Sequence, residues 1–211
     1  MSDLAADITH NSAESGASLV ELEIRESSAV PPAEFRFIIK DNGKGMSESV
    51  LDRAMDPFVT DGVKHPGRKV GLGIPFLIQT AIQSGGGWGI NSTTSGGETA
   101  IRSGSVTAGS QQLRRAEESM VHGTVVEAWF DLANVDTPPL GDIPGLFRTV
   151  LLFSGPQEII LRRSRKGIKG KADLDYEVKK TELAEALGGD LEDVSSLVLL
   201  RQYLHSLEGD E

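Results

Sequence analysis

The chain has 211 residues, a formal net charge of −10 and no cysteine, with 38% hydrophobic and 25% charged residues. That length suits one large domain, or one medium domain with a small appendage, and allows a core that is stable without staples. The lack of cysteine removes disulfides and thiolate metal sites. The acidic balance argues against nucleic acid or an anionic membrane as partner, because both require a net basic face.

In chain order, residues 4–15 fit one helix that stops at Gly16. Residues 19–26 alternate apolar Leu22 and Ile24 with acidic Glu21 and Glu23, a strand pattern. Pro31 and Pro32 break the chain before a second strand at 35–40, and the two strands read as an antiparallel hairpin. Asp41-Asn42-Gly43 then turns the chain toward a helix that starts near Ser47, its expected N-cap, and ends near Met55. Residues 56–70, with Pro57, Gly62, Pro66 and Gly67, form a loop long enough to be functional.

A helix is expected over 72–83, ended by Gly85-Gly86-Gly87, then strands at 88–92, 98–103 and 124–132, with a polar insertion over 104–122. Asp136-Thr137-Pro138-Pro139 marks a change of register, so a boundary is placed near residue 135. Beyond it a helix at 143–153, a hairpin of 157–163 with 172–178, and helices at 180–187 and 192–207 make a small α+β appendage. Arg162, Arg163, Arg165, Lys166, Lys169 and Lys171 form a basic run that reads as a solvated hairpin, with a docking patch as the alternative. No apolar run approaches the roughly 18–20 residues that span a bilayer, and the N-terminus lacks a signal peptide's basic and apolar regions. A cytoplasmic location is therefore expected.

Three short elements carry chemistry. In the first helix, Asp7, Asn11 and Glu14 fall on one stripe at about 100° per residue. An amide oxygen at Asn11 can ligate Mg²⁺, which prefers oxygen donors and keeps several waters. A carboxylate beside it can orient or deprotonate an attacking group. A solvent-facing polar stripe is the plain alternative.

The second element, Asp41-Asn42-Gly43-Lys44-Gly45-Met46, follows a strand. Its glycines let a flat ligand approach closely, and a carboxylate at the strand end can accept a hydrogen bond from an exocyclic amine. Asn-Gly is also a common hairpin signal, but here a helical segment follows. The third, Gly71-Leu72-Gly73-Ile74-Pro75, opens a helix whose backbone N–H groups and dipole favour anions. Its spacing matches neither a P-loop nor a dinucleotide fingerprint.

In this order, over about residues 3–132, the elements resemble the N, G1 and G2 boxes of the GHKL, or Bergerat-fold, ATPases. That superfamily includes sensor histidine kinases, anti-sigma serine kinases, type II topoisomerases, mismatch-repair ATPases and a heat-shock chaperone. Asp56-Pro57-Phe58-Val59-Thr60 is similar to the F box of histidine kinases, and Gly123-Thr124-Val125-Val126 to their last strand. Val70-Gly71-Leu72-Gly73-Ile74-Pro75 and Pro138-Pro139-Leu140-Gly141-Asp142 also resemble stand-alone histidine-kinase-like ATP-binding proteins of anaerobic bacteria.

The resemblance implies an α/β two-layer sandwich with a mixed sheet, binding ATP and Mg²⁺. Asn11 would hold the metal, and Asp7 would stand in the place of the acidic general base. Asp41 would bond the adenine amino group, with Gly43, Gly45 and Met46 shaping the pocket. Gly71, Leu72 and Gly73 would lie along the phosphates, and Thr124 would support adenine through a water. Residues 58–70 would form a lid with Arg68 and Lys69 as phosphate contacts.

Asp7 is one methylene shorter than the glutamate of efficient hydrolases, so vigorous ATP hydrolysis is not expected. The helix and strand that usually precede the N box lie outside this sequence, as does the helical hairpin that carries a phosphoacceptor histidine. His10, next to Asn11, lacks that context; His65, His122 and His205 carry no distinguishing partner. Three functions remain in play: a regulatory protein kinase acting on a separate partner, an ATP-gated switch or weak ATPase, and a nucleotide-binding module without turnover. A separate protein partner or phosphoacceptor is implied, and a homodimer is compatible with the sequence.

Overall fold

A computed structural model describes residues 1–28, 33–58, 72–106 and 121–209. The chain runs α1 (Ser2–Glu14), β1 (Leu19–Ser27), β2 (Glu34–Asp41), α2 (Glu48–Met55), α3 (Gly73–Gln83), β3 (Gly87–Thr93), β4 (Thr99–Ser105) and β5 (Gly123–Asp131). It continues through α4 (Ile143–Leu151), β6 (Glu158–Lys166), β7 (Leu174–Lys179), α5 (Lys180–Ala186) and α6 (Val194–Glu208).

The strands form one seven-stranded sheet in the order β4-β3-β5-β2-β1-β6-β7. Every neighbouring pair is antiparallel except β1 with β6, whose registers run together from Leu19 opposite Glu158 to Ser27 opposite Lys166. Strand side chains alternate between faces, so Val20, Leu22 and Ile24 of β1 share a face with Phe35, Phe37 and Ile39 of β2 and with Val126, Ala128 and Phe130 of β5. That face packs against the helical layer. Leu4, Ala5 and Ile8 of α1, Leu77 and Ala81 of α3, Leu146, Phe147 and Val150 of α4, and Leu200 and Leu204 of α6 join it in one core. The two-layer sandwich with a mixed sheet is what the sequence implied.

The boundary expected near residue 135 falls between β5 and α4. On its far side β6 and β7 hydrogen-bond into the same sheet, and α4 and α6 contribute to the same core. The start of α1 is also tied to this region: the Met1 amino group donates to the Pro139 carbonyl (2.8 Å) and the Ser2 N–H to the Leu140 carbonyl (2.9 Å).

The basic run is a hairpin as expected, with Lys166, Lys169 and Lys171 exposed, but two of its arginines are not solvated. Arg163 and Arg165 alternate with outward-facing neighbours along β6, so both point under α6, where they are 1% and 8% exposed. Arg163 pairs with Glu26 and, at 3.0 Å, with Glu208, which Arg165 also reaches at 3.1 Å. Tyr176 donates its hydroxyl to the same Glu208 carboxylate (2.8 Å). Buried charges survive only when paired and hydrogen-bonded, and this cluster meets that condition. Among the described residues no helix is long and apolar enough to cross a membrane.

Candidate functional site

At one end of the helical layer, β2 finishes on Asp41, a carboxylate only 3% exposed. Its Oδ1 accepts the Gly43 N–H at 2.9 Å, and its Oδ2 accepts the Ser12 hydroxyl at 2.8 Å. The Ser15 hydroxyl lies 3.4 Å from Oδ1 and donates more closely to the Ser12 carbonyl, at 2.7 Å. Burial pushes the Asp41 carboxyl above the usual carboxylate range, while donation from Ser12, the Gly43 N–H and Ser15 pulls it back. These donors leave lone pairs on both oxygens, so the group can accept further N–H donors from a bound ligand.

The turn after Asp41 is close-packed on three sides. A Cβ on Gly43 would lie 1.8 Å from the Ser15 hydroxyl oxygen, so a larger residue there would displace Ser15. Gly45 takes φ +67°, the left-handed region that glycine enters freely, and a Cβ there would sit 2.0 Å from the Thr93 carbonyl oxygen. The Met46 N–H donates to the Ser92 hydroxyl (2.8 Å), which lies 2.8 Å from the Thr124 hydroxyl. Thr124 is thus opposite Asp41 in the β2–β5 ladder and joined to the far side of the turn through Ser92.

α1 brings two sets of residues to this end. Ile8, Ser12 and Ser15 continue the stripe of Ala5 toward the sheet, while Asp7 and Asn11 stay exposed on the outer face. The Asn11 side chain approaches the start of α3: its Nδ2 is 3.5 Å from where a Cβ on Gly73 would be. Leu72 occupies the N-cap of α3 without a side-chain cap, so the first-turn N–H groups face this junction uncapped by any described side chain. An uncapped helix start beside an amide oxygen is chemically suited to an anion accompanied by a hard cation.

The structure therefore brings Asn11, Asp41, Gly43, Gly45, Met46, Gly73 and Thr124 to one end of the sandwich, with Leu72 at its rim and Asp7 one turn before Asn11. Arg68, Lys69 and Gly71 lie outside the described residues, as does most of the expected lid. Sequence reasoning missed Ser12, Ser15, Ser92 and His122. The two α1 serines were available from the helical stripe, since positions 8, 12 and 15 fall on one side of α1. Ser92 and His122 carried no local signal: they meet the turn from 46 and 79 residues away.

A two-layer sandwich with a buried carboxylate on a glycine turn, and a helix start beside Asn11 that no described side chain caps, suits the binding of a nucleotide. Residues 3–134 match the family model described as histidine kinase-, DNA gyrase B-, and HSP90-like ATPase. The match covers more than half of the chain, and the chain belongs to this family.

Proposed function

We propose that this protein binds ATP with Mg²⁺ and acts as a regulatory protein kinase on a separate partner. The observation that carries the reading is Asp41, a buried carboxylate held on target by Ser12 and the Gly43 N–H with acceptor capacity to spare. In this reading Asp41 accepts the adenine amino group, with Gly43, Gly45 and Met46 forming the pocket wall and Thr124 supporting the base. Gly71, Leu72 and Gly73 offer backbone donors to the phosphates, and Arg68 and Lys69 offer cations. Asn11 supplies the amide oxygen for Mg²⁺, which would neutralise phosphate charge when bound. In this reading Asp7, exposed on α1, takes a proton from an attacking hydroxyl or water as the bond to the γ-phosphorus forms and ADP leaves.

The C-terminal segment, through α4 and α6, is the part of the chain expected to read or receive a protein partner, whether a phosphoacceptor or a second copy. A cytoplasmic setting and kinship with stand-alone histidine-kinase-like ATP-binding proteins complete the proposal. A second reading, an ATP-gated switch with weak hydrolysis, is favoured by the packing of α1 directly on α4, which ties the Asn11 helix to that segment.

Incubation of the protein with γ-phosphate-labelled ATP and cell lysate separates the readings. A labelled partner band that vanishes with Asp41→Asn supports the kinase. Release of free phosphate without a band supports the switch, and neither signal overturns both.

A further inference from the structure

We infer that His122, which the functional reading above leaves unused, is a positioning residue for purine recognition through its grip on the Gly43–Lys44 peptide. The inference rests on the nucleotide-binding reading of the Asp41 turn. His122 immediately precedes β5 and is half-buried, with its Nδ1 2.8 Å from the Gly43 carbonyl oxygen. A carbonyl oxygen only accepts, so Nδ1 carries the proton. The N–H of the same peptide, that of Lys44, donates to the Ser15 carbonyl at 3.3 Å. Both polar groups of one peptide unit are thereby held, one from α1's C-terminal end and one from the start of β5.

This peptide needs such a grip because its own side chains cannot supply one. It joins Gly43 to Lys44, and the glycine on its N-terminal side lets the peptide plane turn at little steric cost. Asn42, just before it, is fixed independently, since its Oδ1 accepts the Ser18 and Leu19 N–H groups at 2.9 Å each. Fixing the Gly43–Lys44 peptide sets ψ of Gly43, and so the course of the Gly43–Met46 turn that leaves the Gly43 N–H bonded to Asp41. The anchor is also firmly seated: Gly123 takes φ +121°, and a Cβ there would lie 2.0 Å from the Asp41 carbonyl oxygen. The His122–Gly123 step therefore packs directly on the backbone of Asp41, where the turn begins. His122 also lines a hollow of about 250 Å³ with Leu19, Glu21, Lys40, Asn42 and Val121.

The test uses chemistry specific to Nδ1. An asparagine places its amide nitrogen where imidazole has Nδ1, whereas a glutamine reaches the position of Nε2. Titration calorimetry with ADP on wild type, His122→Asn, His122→Gln and His122→Ala should give near-equal affinity for the first two. The last two should lose roughly five- to tenfold, the effect of one hydrogen bond. Melting temperatures measured alongside should stay close to wild type, which separates positioning from folding. In ¹⁵N-histidine spectra of the ligand-free protein, His122 should carry its proton on Nδ1. Equal affinity in all four proteins, equal loss in all three variants, or an Nε2–H tautomer would overturn the inference. A wild type that binds no ADP would instead refute the nucleotide reading, while the tautomer measurement still judges the His122 contact by itself.

Discussion

Asp41 concentrates two opposing demands in one side chain. Its burial disfavours the charge, while the Ser12 hydroxyl and the Gly43 N–H favour it. Because burial raises the carboxyl above its unfolded range, its contribution to folding stability is present at low pH and declines as pH rises through the raised range. In the proposed reading, nucleotide binding has the opposite sign, because only the ionised form offers all its lone pairs to an exocyclic amine. ADP affinity should therefore fall as pH drops through the raised Asp41 range, and Ser12→Ala should move that loss to higher pH. Calorimetric titrations across pH check both statements; superimposable profiles for wild type and Ser12→Ala would refute the role given to Ser12. Asp41→Asn should weaken ADP binding at least tenfold, about 1.4 kcal/mol. The same change should leave the melting temperature at or above that of wild type, since it removes a group whose burial disfavours ionisation.

At the scale of elements, hydrophobic periodicity and turn residues anticipated nearly every helix and strand, because those signals are local. The pairing of β1 with β6 was not readable, because it joins residues more than a hundred positions apart. Two arginines of the basic run, Arg163 and Arg165, were misread for a different reason. As a composition the run suggests solvent, but in β6 the residues Ile159, Leu161, Arg163 and Arg165 alternate on one face, the buried one. Treating the run as a strand first would have sent two arginines inward and raised the question of their partners, Glu26 and Glu208. Glu208 sits at the end of α6 and is shared by Arg163, Arg165 and Tyr176. Its loss leaves two buried guanidinium groups under-compensated, a change that typically costs about 3–5 kcal/mol. Glu208→Ala should lower unfolding free energy by about that amount in urea titrations. A loss of under about 1 kcal/mol, the level of surface pairs, would mean the cluster is solvated in solution.

For the whole molecule, the decisive feature is that the nucleotide end and the C-terminal segment share one sheet and one core. α1 carries both Asn11 and Ser12, packs on α4, and is fastened at its start to residues 139 and 140. A ligand that binds only the folded state stabilises it by mass action, by about 2.7 kcal/mol at a hundredfold excess over Kd. For a chain of this size each kcal/mol moves the melting temperature by about 2–4 °C, so saturating Mg-ATP should raise it by roughly 5–11 °C. The chain provides its own reporters for how far that stabilisation spreads. Its two tryptophans, Trp88 and Trp129, lie on β3 and β5, and its two tyrosines, Tyr176 and Tyr203, lie on β7 and α6. If the shared core makes one cooperative unit, unfolding followed by tryptophan and by tyrosine signals should coincide without nucleotide and shift together with it. A tyrosine transition that stays in place while the tryptophan transition moves would show that residues beyond 135 unfold independently of the ATP site. No shift in either signal, on folded protein with millimolar Mg-ATP, would refute nucleotide binding itself.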